Sequence, residues 1–152
     1  MGRYRAKMTK DMTPQQAYDH IKAAAKAGSF PSLNLDTDKC LYRYGERACL
    51  AGIFLDDKDY RNDMDDNIIS GVYISNTASR IFKELENCPD FFFRELAQGR
   101  CLIDVLQGWH DRFAGDNKPY DHEFFARIRQ EFEKAGFPVY DTPDDAVVDF
   151  MS

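Results

Sequence analysis

Two side chains in this sequence have the chemistry of a nucleophile and its base, Cys49 and His110. A thiol attacks as its thiolate, so a catalytic cysteine needs a neighbour that lowers its pKa. Arg43 and Arg47 lie close to Cys49 along the chain, and His110 in the same pocket would complete a minimal nucleophile–base pair. At about 100° per residue, Leu102, Leu106, Trp109, His110 and Phe113 share one face of a helix. On that wheel Gln107, one turn back, is placed to orient His110, whereas Asp111 points away from it, towards Asp104. His110 therefore reads either as a general base facing a pocket or as a buried, hydrogen-bonded structural histidine beside Trp109. Cys49, between Ala48 and Leu50, reads either as a nucleophile or as a small core residue. On sequence the enzyme question stays open.

Other constellations are weighed on their spacing. Tyr42, Arg43 and Gln107 form a candidate ligand-binding set, with Arg43 and Arg47 suited to an anion. The four cysteines contain no C-x-x-C pair, and the gap from Cys40 to Cys49 is wider than structural zinc sites use, so no metal and no cofactor are expected. Asp57, Asp59, Arg61 and Asp63 alternate somewhat like a calcium loop. Asn62 stands where that loop needs its sixth-position glycine, however, and Ile68 where it needs its twelfth-position glutamate. The run from Asp56 to Asp66 is then a solvated acidic loop or a patch aimed at a basic partner, with Asp63, Asp65 and Asp66 as the partner-binding candidates.

These residues need elements to position them. Thr13-Pro14-Gln15-Gln16 is a helix start, with Thr13 and Gln16 forming a capping box and Pro14 at the first helical position. Tyr18, Ile21, Ala24 and Ala25 then give an apolar stripe that Gly28 ends. Cys40–Tyr44 and Arg47–Leu55 are rich in strand formers around Gly45 and predict a β-hairpin. With a two-residue turn, Cys40 and Cys49 lie diagonally, roughly 7–8 Å apart, too far for an unstrained disulfide. Ile68–Ser75 suggests a third strand. Further helices are expected from Asn76 or Thr77 through Leu85, from Pro89 to Gly99 and from Cys101 to Phe113. The last is expected from Asp121 to Gly136, with Phe124, Phe125, Ile128 and Phe132 at helical spacing.

The hairpin and the histidine helix together resemble a family of small phage and prophage proteins. Its pattern of Cys-x-Tyr-Arg, a glycine turn and Cys-x-x-Gly is met by Cys40, Tyr42, Arg43, Gly45, Cys49 and Gly52, followed by Asp56 or Asp57 and Tyr60. Its Leu-Gln-x-x-His-Asp element is met by Leu106, Gln107, His110 and Asp111. The resemblance implies an origin in the cytoplasm of an infected or lysogenic bacterium and no particular reaction.

Bulk composition bounds the rest. The chain has 152 residues, the size of one ordinary domain, and aromatics make up 14% of it, enough to build a core. A net charge of -6 repels phosphates, which argues against direct nucleic-acid binding and suits a basic protein partner. No apolar stretch approaches the roughly 20 residues that span a bilayer, and sparse cysteines fit a reduced cytoplasm. The expected architecture is a single α+β domain over 1–152, four to five helices packed on a small antiparallel hairpin or sheet. Residues 1–12 are expected as a mobile basic arm and 141–152 as an acidic tail. The expected function is that of a phage-type accessory protein that binds and modulates a host protein through acidic and aromatic surfaces without catalysis. The alternative is a small cysteine-dependent hydrolase or transferase using Cys49 and His110. Sequence sets no oligomeric state.

Overall fold

The computed structural model describes residues 6–30, 33–34, 39–40, 43–44, 47–55 and 77–141. Among the described residues four α-helices carry the architecture: α1 (Pro14–Lys26), α2 (Thr77–Lys83), α3 (Leu102–Gly115) and α4 (His122–Lys134). Short 3-10 turns lie at Ala51–Phe54, Asp90–Phe93 and Ala97–Gly99.

Local chemistry sets the helix ends. The Gln16 N–H donates to Thr13 Oγ1 at 3.1 Å and the Thr13 N–H donates to Gln16 Oε1 at 2.9 Å, so the capping box forms as expected. Asp121 caps α4, accepting from the Glu123 N–H at 3.3 Å. Three of the helices stop in one way. A left-handed residue follows the cap, and the next N–H reaches back to a carbonyl of the last turn: Ser29 to Ala24, Lys118 to Phe113, Phe137 to Phe132. The left-handed position needs positive φ, and Gly28, Asn117 and Gly136 supply it.

The core is aromatic. Tyr18 and Ile21 of α1, Phe82 of α2, Leu102 and Leu106 of α3, and Phe124, Ile128 and Phe132 of α4 are all fully buried. Phe92 fills the middle, with ring centroids 5.2 Å from Phe54 and 5.4 Å from Phe82, both edge-on. Each such side chain contributes about 1.5–3 kcal/mol relative to exposure. Helix α3 packs against α2, α4, the 51–54 turn and the 90–93 turn, so it is the central element. Among the described residues, no helix is long and apolar enough to cross a membrane.

Several expectations are overturned. Among the described residues the chain is helical rather than α+β, and no hairpin or sheet forms a packing layer. Among the described residues, strand is confined to two separate antiparallel ladders of two residues a side, Leu33–Asn34 with Lys39–Cys40 and Arg43–Tyr44 with Arg47–Ala48. The expected second arm, Arg47–Leu55, leaves the ladder at once and winds into the 51–54 turn. Its residues from Ala48 to Leu55 are buried throughout, so the run carries no alternation that would demand a strand. The helix expected at Pro89–Gly99 is split into two 3-10 turns. Gln98 at φ 67° and Gly99 at φ 71° reverse the chain, and Glu95 bridges to Cys101. Within the stretch expected as a mobile arm, two residues are anchored in the core. The Ala6 N–H donates to the Ile53 carbonyl at 2.8 Å, and Ala6 and Met12 are buried. The expected strand Ile68–Ser75, the acidic run Asp56–Asp66 and the tail past Asp141 lie outside the described residues.

Candidate functional site

Helix α3 projects a polar stripe, and Gln107 is its hub. Its Oε1 accepts from the Ala51 N–H at 2.8 Å, at the mouth of the 51–54 turn. Its Nε2 donates to Asp111 Oδ1 at 2.8 Å. Just before that turn stands Cys49, whose Sγ accepts from the Gly52 N–H at 3.3 Å. The two motif segments of the sequence, Cys49–Gly52 and Gln107–Asp111, therefore meet through backbone and amide.

His110 completes the cluster. Its Nδ1 lies 3.0 Å from Asp111 Oδ1 and 3.4 Å from Gln107 Nε2. The carboxylate only accepts, so the proton sits on Nδ1 and bonds to Asp111. The contact with the Gln107 amide nitrogen is then donor against donor and adds nothing. The expected assignment is thus corrected: Asp111, not Gln107, orients the imidazole. The wheel places Asp111 away from His110 by its Cβ direction, but rotation about its side-chain bonds returns the carboxylate to its neighbour.

In the neutral ring, an aspartate on Nδ1 leaves Nε2 with a lone pair, the arrangement of a general base. Among the described residues this Nε2 is buried without a hydrogen-bond partner. The ring is 0% exposed, stacked on Tyr120 with centroids 5.4 Å apart and set edge-on to Phe30 at 5.2 Å. Tyr120 also donates its hydroxyl proton to the His110 carbonyl at 2.9 Å. Cys49 is 1% exposed. Both candidate catalytic side chains are therefore closed off from solvent.

Of the remaining predicted residues, Tyr42, Asp63, Asp65 and Asp66 lie outside the described residues, and Arg43 is described only by its backbone, paired with Ala48. Among the described residues, no group of three or more His, Cys, Asp and Glu is placed to hold a metal ion. An open depression of about 580 Å³ lies along Asp90, Phe91, Phe93, Arg94, Glu95 and Phe137, and none of the predicted residues lines it.

Sequence reasoning missed Asp104. This carboxylate, 4% exposed, accepts from the Ser79 N–H at 2.9 Å and so holds the start of α2 from a different helix. Burial pushes its pKa up, against the smaller lowering from Ser79, Arg100 and Ala78. Asp104 and Gln107 are one helical turn apart on α3. One grips Ser79 and the other Ala51, the residues that flank the acidic stretch on its two sides. The partners lie far away in sequence, so no local signal announces them. Compared with protein-family models, with curated proteins and with solved structures, the chain matches none.

Proposed function

We propose that this chain is a non-catalytic binding protein, a phage-type accessory factor that engages a basic host protein through its acid-rich stretch. The observation that carries this reading is the double grip of α3, in which Asp104 and Gln107 tie Ser79 and Ala51 to a single turn. A rigid scaffold that fixes both flanks of a segment can present it to a partner. Asp63, Asp65 and Asp66 lie within that segment, and the net charge of -6 supports attraction to a basic surface. The burial of Cys49 and His110 removes support from the hydrolase alternative.

Complementary charge speeds encounter more than it tightens the final complex. The test is the association kinetics of a basic protein captured from bacterial lysate. The on-rate should fall by about tenfold between low and physiological salt. Asp63→Asn, Asp65→Asn and Asp66→Asn together should slow it by a similar factor. A salt-independent on-rate, unchanged in the triple variant, sinks the proposal. Iodoacetamide addresses the alternative. Cys49 in the folded protein should resist alkylation, and rapid labelling that His110→Ala slows would restore the enzyme reading.

A further inference from the structure

The last described residues of the chain are read by side chains from two helices. Gln15 of α1 accepts from the Tyr140 N–H and donates to the Tyr140 carbonyl, both at 2.8 Å. A neighbouring β-strand makes the same pair of bonds, so one side chain here does the work of a strand edge. The next residue is gripped by its carboxylate. Asp141 accepts from the Tyr18 hydroxyl, from Lys22 Nζ at 2.8 Å and from the Arg129 guanidinium. Arg129 Nη1 also lies 3.3 Å from the Tyr18 hydroxyl and holds it in place.

This is a built pocket. Tyr18 is fully buried, and burial pushes its phenol up to about 12, so at neutral pH it remains a proton donor. The Lys22 ammonium lies 5.6 Å from the Tyr18 ring centre and 5.5 Å from that of Phe125. Val139 is buried, while the Tyr140 side chain is 68% exposed. The site therefore takes an apolar residue, reads only the backbone of the next, and demands a carboxylate on the third.

We propose that the cleft between α1 and α4 is a recognition site for an extended acidic peptide of the pattern apolar–any–Asp, with residues 139–141 as its built-in occupant. The site is independent of the acid-rich stretch discussed above and takes a partner of the opposite charge. A tethered occupant acts at an effective concentration of the order of millimolar, so a peptide from another molecule binds only by displacing it.

The experiment uses the full-length protein and a fluorescein-labelled, end-capped probe of sequence Phe-Pro-Val-Tyr-Asp, followed by fluorescence anisotropy. Wild type should bind the probe weakly. Asp141→Asn weakens the internal occupant by removing its charge-assisted bonds and should bind the probe about tenfold more tightly. On that protein, a probe ending in Asn should lose most of the affinity, as should adding Lys22→Gln or Arg129→Gln. Should the lysine or arginine variants fail to fold, the Asp and Asn probes compared on folded Asp141→Asn protein decide the matter. Equal binding by wild type and Asp141→Asn, equal binding of the two probes, or no binding at all makes the cluster a structural clamp only and overturns the proposal.

Discussion

Gln107 and Gln15 are both half-buried and each hold a stretch of backbone that belongs to no long helix, one at the buried Ala51 and one at the exposed Tyr140. Gln107 grips Ala51 from the middle of α3, and its amide nitrogen engages Asp111, which in turn holds the buried His110. Gln15 grips Tyr140 from the first turn of α1, and its amide nitrogen also reaches Asp19 at 3.1 Å. Beside it, Asp141 is held mainly by ion pairs, with Lys22 and Arg129. The chemistry of the two grips is the same. Their surroundings differ, and that decides what breaking each one costs. An interior donor left unpaired keeps its full desolvation penalty, whereas water replaces a lost partner at the surface. The interior grip therefore serves stability and the outer one is suited to release.

The largest effect that tests this contrast is expected at His110. His110→Ala removes a ring packed on Phe30 and Tyr120 and leaves Asp111 without its imidazole donor, and should cost about 2–4 kcal/mol in thermal or urea unfolding. A fully stable His110→Ala protein with lost binding would turn the interior cluster into a functional site and erase the contrast.

Asp104 comes next. Asp104→Ala removes the carboxylate that accepts from the Ser79 N–H and should cost about 1–3 kcal/mol. Asp104→Asn keeps an acceptor oxygen and removes the buried charge. In the wild type, the folded state holds this proton to higher pH than the unfolded chain does. Its contribution to stability is thus greatest in acid and declines as pH rises from the ordinary carboxylate range through the raised folded value. In Asp104→Asn that decline should vanish, leaving the variant no less stable than wild type at neutral pH. Melting temperature measured against pH reads both outcomes, and an unchanged slope would show that Asp104 does not ionise as described.

Smaller effects belong to the outer grip. Gln15→Ala and Asp141→Asn should each change global stability by less than about 1 kcal/mol. Hydrogen exchange at the Tyr140 amide should nevertheless quicken in both, and in wild type at high salt. A drop in melting temperature as large as that of His110→Ala would make the two grips equivalent. The smallest effect is expected from the triple Asn variant of Asp63, Asp65 and Asp66, whose unfolding should stay within about 0.5 kcal/mol of wild type.

What the sequence makes legible follows the range of each interaction. The Thr13–Gln16 box, the Asp121 cap and the stops at Gly28 and Gly136 were readable because each is settled within a few residues. The buried faces of α1 and α4 were readable because Tyr18 and Ile21, and Phe124, Ile128 and Phe132, repeat with the helical period. The turn at Ala51–Phe54 was not, because a run buried on every side loses the alternation that separates strand from helix. The juncture of Gln107 with Ala51 joins residues of two motifs that lie far apart in the chain. The grips of Asp104 on Ser79 and of Gln15 on Tyr140 were invisible, since neither partner is near in sequence and neither pair has a distinctive composition.

The α3–α4 junction contains the chain's single tryptophan. Trp109 donates its indole proton to Glu131 at 2.8 Å, and the guanidinium carbons of Arg112 and Arg127 lie 5.4 and 5.2 Å from its ring centre. One indole flanked by charges from both helices makes the protein its own optical probe. Its emission reports the separation of α3 from α4 with no label attached and no other tryptophan to confuse the signal. Melting of this junction can thus be timed by fluorescence and compared with the far-ultraviolet signal of the helices. Agreement between the two would mark a single cooperative transition.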